Sequence, residues 1–420
     1  MIKKYLQNSG SFIFICYAVF AAFGTYFCMY AFRKPFSVGT YESVFFWGNI
    51  LTYKSAIIIS QVIGYALSKF IGIKVISELK NNYRAYLLIG LILLAETALV
   101  LFGFIPAPWN IVALFLNGLP LGMIWGIVFS YLEGRRFSEI LGAGLAASFI
   151  VASGAVKSVG KWLMLEFGVP EFWMPAATGA LFIFPLFIFA YLLEQIPPPT
   201  GEDQRLRTER LPMDGKQRKK LFLQYAPGII ALVLFYTLLT AYRDFRDNFA
   251  AEIWTALGFG DAPAIFTIAE IPIAVLVLIM MGATMLVRNN IKALQLYFWI
   301  VFSGALIVGL STLFFTNNIL NGAVWMMLVG LGLYIAYVPF NCILFDRMIA
   351  AFQQKGNAGF LIYVADAFGY LGSVLVLLYK DFVAPELSWL EFFTNASYLL
   401  TIGCSVTVLF AIFYFRKLLN

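Results

Sequence analysis

Histidine is absent from the 420 residues, and Asp, Glu, Lys and Arg together make up only 12% of them. The first absence removes the commonest general base, proton shuttle and metal ligand. The second leaves long stretches without charge, which a water-exposed fold of this length does not need. No P-loop, dinucleotide-binding glycine pattern, nucleophile elbow or zinc-ligand spacing occurs, so no ATPase, cofactor or metal site is expected and the chain is not read as an enzyme. The four cysteines, Cys16, Cys28, Cys342 and Cys404, fall inside apolar segments without ligand spacing, and read as small core residues. The short dyad alternation of a membrane β-barrel is also missing.

What is present is apolar length. Hydrophobic residues account for 61% of the chain, in runs of about twenty residues, each long enough to cross a bilayer as a helix. Spans are expected at 11–33, 50–72, 85–105, 109–132, 141–167 and 172–194, then at 223–248, 263–286, 292–315, 319–346, 359–379 and 392–415. The first follows Lys3 and Lys4 and resembles a signal peptide, but its length and lack of a small-residue cleavage site make it a retained span. The expected fold class is an all-α membrane protein of twelve helices in two pseudo-symmetric halves, 1–196 and 221–420. A proline-led, charge-rich linker joins them at 197–220. Basic residues concentrate in the loops that lie inside if both termini are cytoplasmic, as expected for a multi-pass protein of the inner membrane.

Two internal matches support related halves. Tyr26, Ala31, Phe32 and Arg33 align with Tyr236, Ala241, Tyr242 and Arg243; Gly118, Leu119, Leu121, Leu132 and Arg135 align with Gly330, Leu331, Leu333, Leu344 and Arg347.

Charges inside spans are costly, by roughly 2.5–3.5 kcal/mol on insertion scales, so those retained are candidates for a cavity or pathway. Arg33 and Arg243 head the list, since the guanidinium fork matches phosphate and carboxylate oxygens, and they are expected to clamp an anion. Snorkelling to the interface is their plainer alternative. Tyr26 and Tyr30 share the helix face of Arg33, and Lys34, Lys54 and Lys157 add substrate-binding candidates, with Lys161 shallower than Lys157. Arg243 and Asp247 are spaced to pair, with Asp244, Arg246 and Asp247 assigned to an outer gate. Among the intramembrane acids Glu96, Glu270 and Asp366, the last two are coupling candidates, and Asp366 stands beside Gly369 and Gly372 in a helix with room for close packing.

The stretch Tyr30-Ala31-Phe32-Arg33-Lys34-Pro35-Phe36, the segment Gly64-Tyr65-Ala66-Leu67-Ser68-Lys69-Phe70-Ile71 and the run Phe368-Gly369-Tyr370-Leu371-Gly372-Ser373 carry a further inference. They resemble the major facilitator superfamily and, within it, the organophosphate:phosphate antiporters, the group of glycerol-phosphate and hexose-phosphate transporters. That resemblance puts the family's phosphate-holding arginines at Arg33 and Arg243. It implies secondary, alternating-access transport of a small organic anion. The chain is expected to be monomeric, with membrane lipids as partners and no nucleic acid, since the cytoplasmic loops account for the net charge of +7. A ligand sensor on the same fold is the alternative. The family's histidine in the fifth span has no counterpart here, and the loop Ile73–Leu79 lacks the superfamily's Asp-Arg.

Overall fold

The computed structural model describes residues 2–46, 51–77, 83–132, 135, 138–199, 215–284, 286–352 and 358–419. Most of the expected linker, 200–214, lies outside them, as do Lys80, Arg136 and Lys355 of the cytoplasmic basic set. Among the described residues the secondary structure is helical, without strands.

Among the described residues twelve long helical segments follow one another. In the first half they are α1 (Ser11–Tyr30), α2 (Tyr53–Ser77), α3 (Arg84–Phe104), α4 (Ile111–Leu132), α5 (Ser138–Phe167) and α6 (Met174–Glu194). In the second they are α7 (Ala226–Asn248), α8 (Ile265–Thr284), α9 (Asn290–Thr316), α10 (Gly322–Cys342), α11 (Ala358–Phe382) and α12 (Trp389–Leu419). Among the described residues, α1, α3 to α10 and α12 each contain an apolar, charge-poor stretch sufficient to cross a membrane. Their exposed faces carry large apolar side chains such as Phe184, Leu276 and Phe413. That is the surface a helix presents to lipid, where each backbone N–H and C=O is satisfied within the helix itself.

Proline sets several helix ends. The expected first span reaches 33, but α1 stops at Tyr30, and the chain turns through Ala31–Lys34 into a 3-10 turn at Pro35–Val38. Pro35 has no N–H to offer the Ala31 carbonyl, and its ring disfavours helical backbone at Lys34. In α8 the break falls at Ala269, between Ile265–Ile268 and Glu270–Thr284. There the Pro272 ring would meet the Ile268 carbonyl in an unbroken helix.

The described residues form two compact units. One comprises Met1–Arg207 with Asn248–Ile271 and Asp381–Val383; the other comprises Thr208–Asp247, Pro272–Lys380 and Ala384–Asn420. In the first, α2 packs along α4, α1 against α5 and α6, and α3 against α4 and α6. Small residues allow the closest approach: a Cβ on Gly64 would run into the Phe115 carbonyl, and one on Gly118 into that of Gln61. In the second, α9 packs against α10 and α12, with Gly304 and Gly332 each facing the other's carbonyl oxygen.

The arginines that end the second repeated frame tie helix ends together. Arg135 donates to the Tyr131 and Pro197 carbonyls and lies 4.8 Å from the Phe14 ring centroid. Arg347 donates to Asn290 Oδ1 at 2.7 Å. Of the cysteines, Cys28 and Cys404 are buried as expected, whereas Cys16 is on an exposed face of α1. The Cys342 side chain is outside the described residues.

Candidate functional site

In the first unit the geometry centres on the turn after α1. Arg33 is 9% exposed, and its guanidinium carbon lies 4.0 Å from the centroid of Tyr65 on α2 and 5.7 Å from that of Tyr30. Its backbone is pinned as well. Gln61 donates to the Arg33 carbonyl at 3.0 Å and to Asn117 Oδ1 at 2.7 Å, while Asn117 donates to the Phe32 and Ala95 carbonyls, each at 3.0 Å. Those bonds satisfy carbonyls that the early end of α1 leaves exposed. They also fix where the arginine fork can point. Tyr26 is buried deeper on α1, its ring edge-on to Tyr30 and Trp125.

The lysines expected at the site are buried too, and two of them meet residues at the end of α7 or just beyond it. Lys34 Nζ donates to Asn248 Oδ1 at 3.0 Å. Lys54 Nζ donates to the Ser37 carbonyl at 2.8 Å and forms an ion pair with Glu252 Oε1. Glu252 belongs to a short helix, Ala250–Ala256, packed against the Pro35–Val38 turn. Its other oxygen, Oε2, is buried without a hydrogen-bond partner. Burial raises the Glu252 carboxyl above the usual carboxylate range, and the Lys54 ammonium only partly offsets this. Lys157, 3% exposed on α5, is close enough to Lys54 for their charges to repel.

Further contacts seat this region. Thr52, just ahead of α2, donates from its N–H to Asp381 Oδ2 at 3.1 Å. Thr40 and Tyr41 donate their N–H groups to Glu171 Oε1, at 2.5 and 2.9 Å. The Tyr41 hydroxyl, itself pushed to higher pKa by burial and by Glu171, donates to the Phe36 carbonyl. Glu270 lies beside α5: a Cβ on Gly154 would touch its Cγ and run into the Phe266 carbonyl. Ser158 and Thr267 share a 2.6 Å hydrogen bond one turn further along. Glu96, 9% exposed, leaves Oε2 without a hydrogen-bond partner next to Gly179 of α6.

In the second unit Arg243 is still inside α7, and its partner differs from the expected one. Nε and Nη2 donate to Asp244 Oδ1 at 3.2 and 2.6 Å, rather than to Asp247 one turn away. The guanidinium lies 4.1 Å from the Tyr337 ring centroid. Asp244 Oδ2 accepts from Ser373 of α11 at 2.8 Å. Asp366, also on α11, accepts from Tyr236 at 2.6 Å, and the Tyr236 hydroxyl lies 2.9 Å from that of Tyr337. Asn341 Oδ1, at 3.3 Å from the Tyr236 hydroxyl, borders the same network. Arg246 turns instead to α10, donating to the Met326 carbonyl at 3.1 Å and packing against Gly330. Asp247 is half-buried near the end of α7.

Several contributors were not singled out from the sequence. Gln61 and Asn117 are amides within apolar spans, and the cost of burying an unbonded amide was a usable signal. Asn248, Glu252 and Asp381 lie at or beyond span ends, where a polar side chain draws no attention.

Residues 35–418 match DUF5690, a family of unknown function. The chain belongs to this family. A search of curated proteins finds no match. Among solved structures, the crystal structure of a D-xylose-proton symporter is similar over 97% of this chain and 98% of that one, with TM-score 0.59 and 16% identity. The nucleoside transporter NupG is similar over 96% of this chain and 99% of its own, with TM-score 0.61 and 14% identity. At such identities the likeness concerns the fold alone: an all-α, multi-pass membrane fold.

Proposed function

We propose that this protein is a secondary active transporter of a small organic anion, with a phosphorylated compound as the first candidate class. Arg33 is the observation that carries the reading. It is a buried guanidinium held over an aromatic face, with its backbone fixed by two amide side chains. An arginine kept in one orientation retains less freedom to lose on binding, and its forked donors suit planar or tetrahedral oxyanions. Burial of Lys34, Lys54 and Lys157 in the same unit adds positive charge, which selects against cations. Arg243 supplies the second anion-recognising group, and Asp366 and Glu270 the coupling carboxyls. The fold shared with a sugar symporter and a nucleoside transporter supports transport, while the buried cations support a charged cargo. Solute gradients drive the movement, by alternating access.

Thermal unfolding of the purified protein against phosphate, sugar phosphates, glycerol phosphate, carboxylates and sulfate tests the reading, followed by exchange of the stabilising compound in proteoliposomes. Stabilisation and flux that Arg33→Ala abolishes are expected. Flux of an anion that survives Arg33→Ala combined with Arg243→Ala overturns the assignment of these arginines. Tight binding with no flux in the wild-type protein makes it a sensor.

A further inference from the structure

We propose that Glu252 is a proton-binding site whose ion pair with Lys54 latches the Ala250–Ala256 helix onto α2, and that protonation opens the latch. The groups that form the latch, Lys54, Ser37, Glu252, Lys34 and Asn248, all belong to the first compact unit. The pair is built from both sides. Lys54 is buried and oriented by the Ser37 carbonyl, so its ammonium has a fixed position when Glu252 meets it. Glu252 spends only Oε1 on that contact and leaves Oε2 buried without a hydrogen-bond partner. A proton from solvent taken up on Oε2 converts the carboxylate to a neutral acid; the Lys54 ammonium then keeps its bond to Ser37 and loses its counter-charge.

The titratable groups around Glu252 fit this role. Lys54 favours its charged form, while Glu42 opposes it, and Tyr41 lies within electrostatic range. Lys157 and Glu171 act on Lys54 from α5 and from the turn before α6, with opposite signs. Burial raises the Glu252 carboxyl, so it takes up a proton at a higher pH than an exposed glutamate. The latch has a second strand at Lys34–Asn248, which is not titratable at the Asn248 end.

Chain continuity gives the latch its reach. Asn248 is the last residue of α7, so the latched helix follows directly on the end of α7 that carries Arg243, Asp244 and Arg246. The link to transport rests on the function proposed above; the latch itself does not.

Hydrogen exchange read by mass spectrometry separates the two. In Glu252→Gln, amides of residues 249–264 are expected to exchange about tenfold faster than in the wild-type protein at mildly alkaline pH, with α6 unchanged. After correction for intrinsic rates, wild-type exchange in this segment rises towards that of the variant on mild acidification, and the variant responds little. Lys54→Glu combined with Glu252→Lys restores protection that each single change removes. Equal protection in wild type and Glu252→Gln overturns the latch, and so does failure of the charge swap to restore it. A wild-type segment indifferent to pH overturns the proton site. In proteoliposomes Glu252→Gln keeps exchange and loses its acceleration by a proton gradient; gradient-driven flux equal to wild type overturns the coupling. Exchange behaviour as expected in a wild-type protein that moves no anion leaves the latch standing and sinks the transport reading.

Discussion

Arg33 and Arg243 hold equivalent places in the two halves, yet the residues just after them have opposite charge. Lys34 follows the first arginine and Asp244 follows the second. In the second unit the arginine is therefore matched by its own neighbour, which is held in turn by Ser373. In the first, the next charge is a cation directed to Asn248. The backbone differs for a related reason: Pro35 ends α1 before Arg33, whereas Phe245, at the equivalent position, lets α7 continue through Arg243. Duplication of one arginine thus does not duplicate its electrostatics. The first arginine stands on a turn with a lysine next to it, and the second on a continuous helix with an aspartate next to it.

Substitutions can break this contrast or sharpen it. The largest effect is expected from Arg243→Ala, which takes the guanidinium away from the buried Asp244 carboxylate; removal of one partner of a buried pair costs roughly 3–5 kcal/mol. Thermal unfolding should show a greater loss than for Arg33→Ala, and Arg243→Gln with Asp244→Asn should recover much of it. Equal losses for the two alanine variants would mean that the units do not differ in this way. Next comes Phe245→Pro, which imposes the α1 ending on α7. A destabilisation of about 3 kcal/mol or more is expected from the proline alone, and denaturant titration would reveal it.

Tyr236→Phe takes the 2.6 Å hydroxyl donor from Asp366, and the loss of a hydrogen bond to a charged group is worth about 1.5–3 kcal/mol. An unfolding midpoint unchanged by Tyr236→Phe would show that Asp366 does not depend on that bond. The smallest effect is the most discriminating: Lys34→Asp writes the second unit's Arg-Asp pair into the first. Affinity for the stabilising anion is expected to fall about tenfold, equivalent to 1.4 kcal/mol, as calorimetry or a ligand-dependent unfolding shift would report.

Much of the fold was legible because a bilayer imposes few solutions. Runs of about twenty apolar residues without charge have to be helices there, and length alone fixes their number. The span drawn through Arg33 ran three residues past the actual end of α1 at Tyr30, because apolar length alone does not register the effect of Pro35 on the turn before it. The candidate site was legible one residue at a time. A buried cation stands out against an apolar background, which is how Arg33, Lys54, Lys157 and Arg243 were found. Their partners do not stand out in the same way, because Gln61, Asn248 and Glu252 are ordinary polar residues until the chain brings them near.

The sequence by itself determined the helical membrane class and the positions of the arginines, since each follows from local composition and spacing. Only the tertiary structure decided which charges meet. Asp244 and Asp247 were both within reach of Arg243 along the helix, and side-chain direction together with the Ser373 hydroxyl on α11 settled the pairing on Asp244. Lys54 and Glu252 are 198 residues apart. Nothing in the spacing along a chain encodes such a pair; it arises when helices that bury their apolar faces carry two opposite charges to one place that water does not reach.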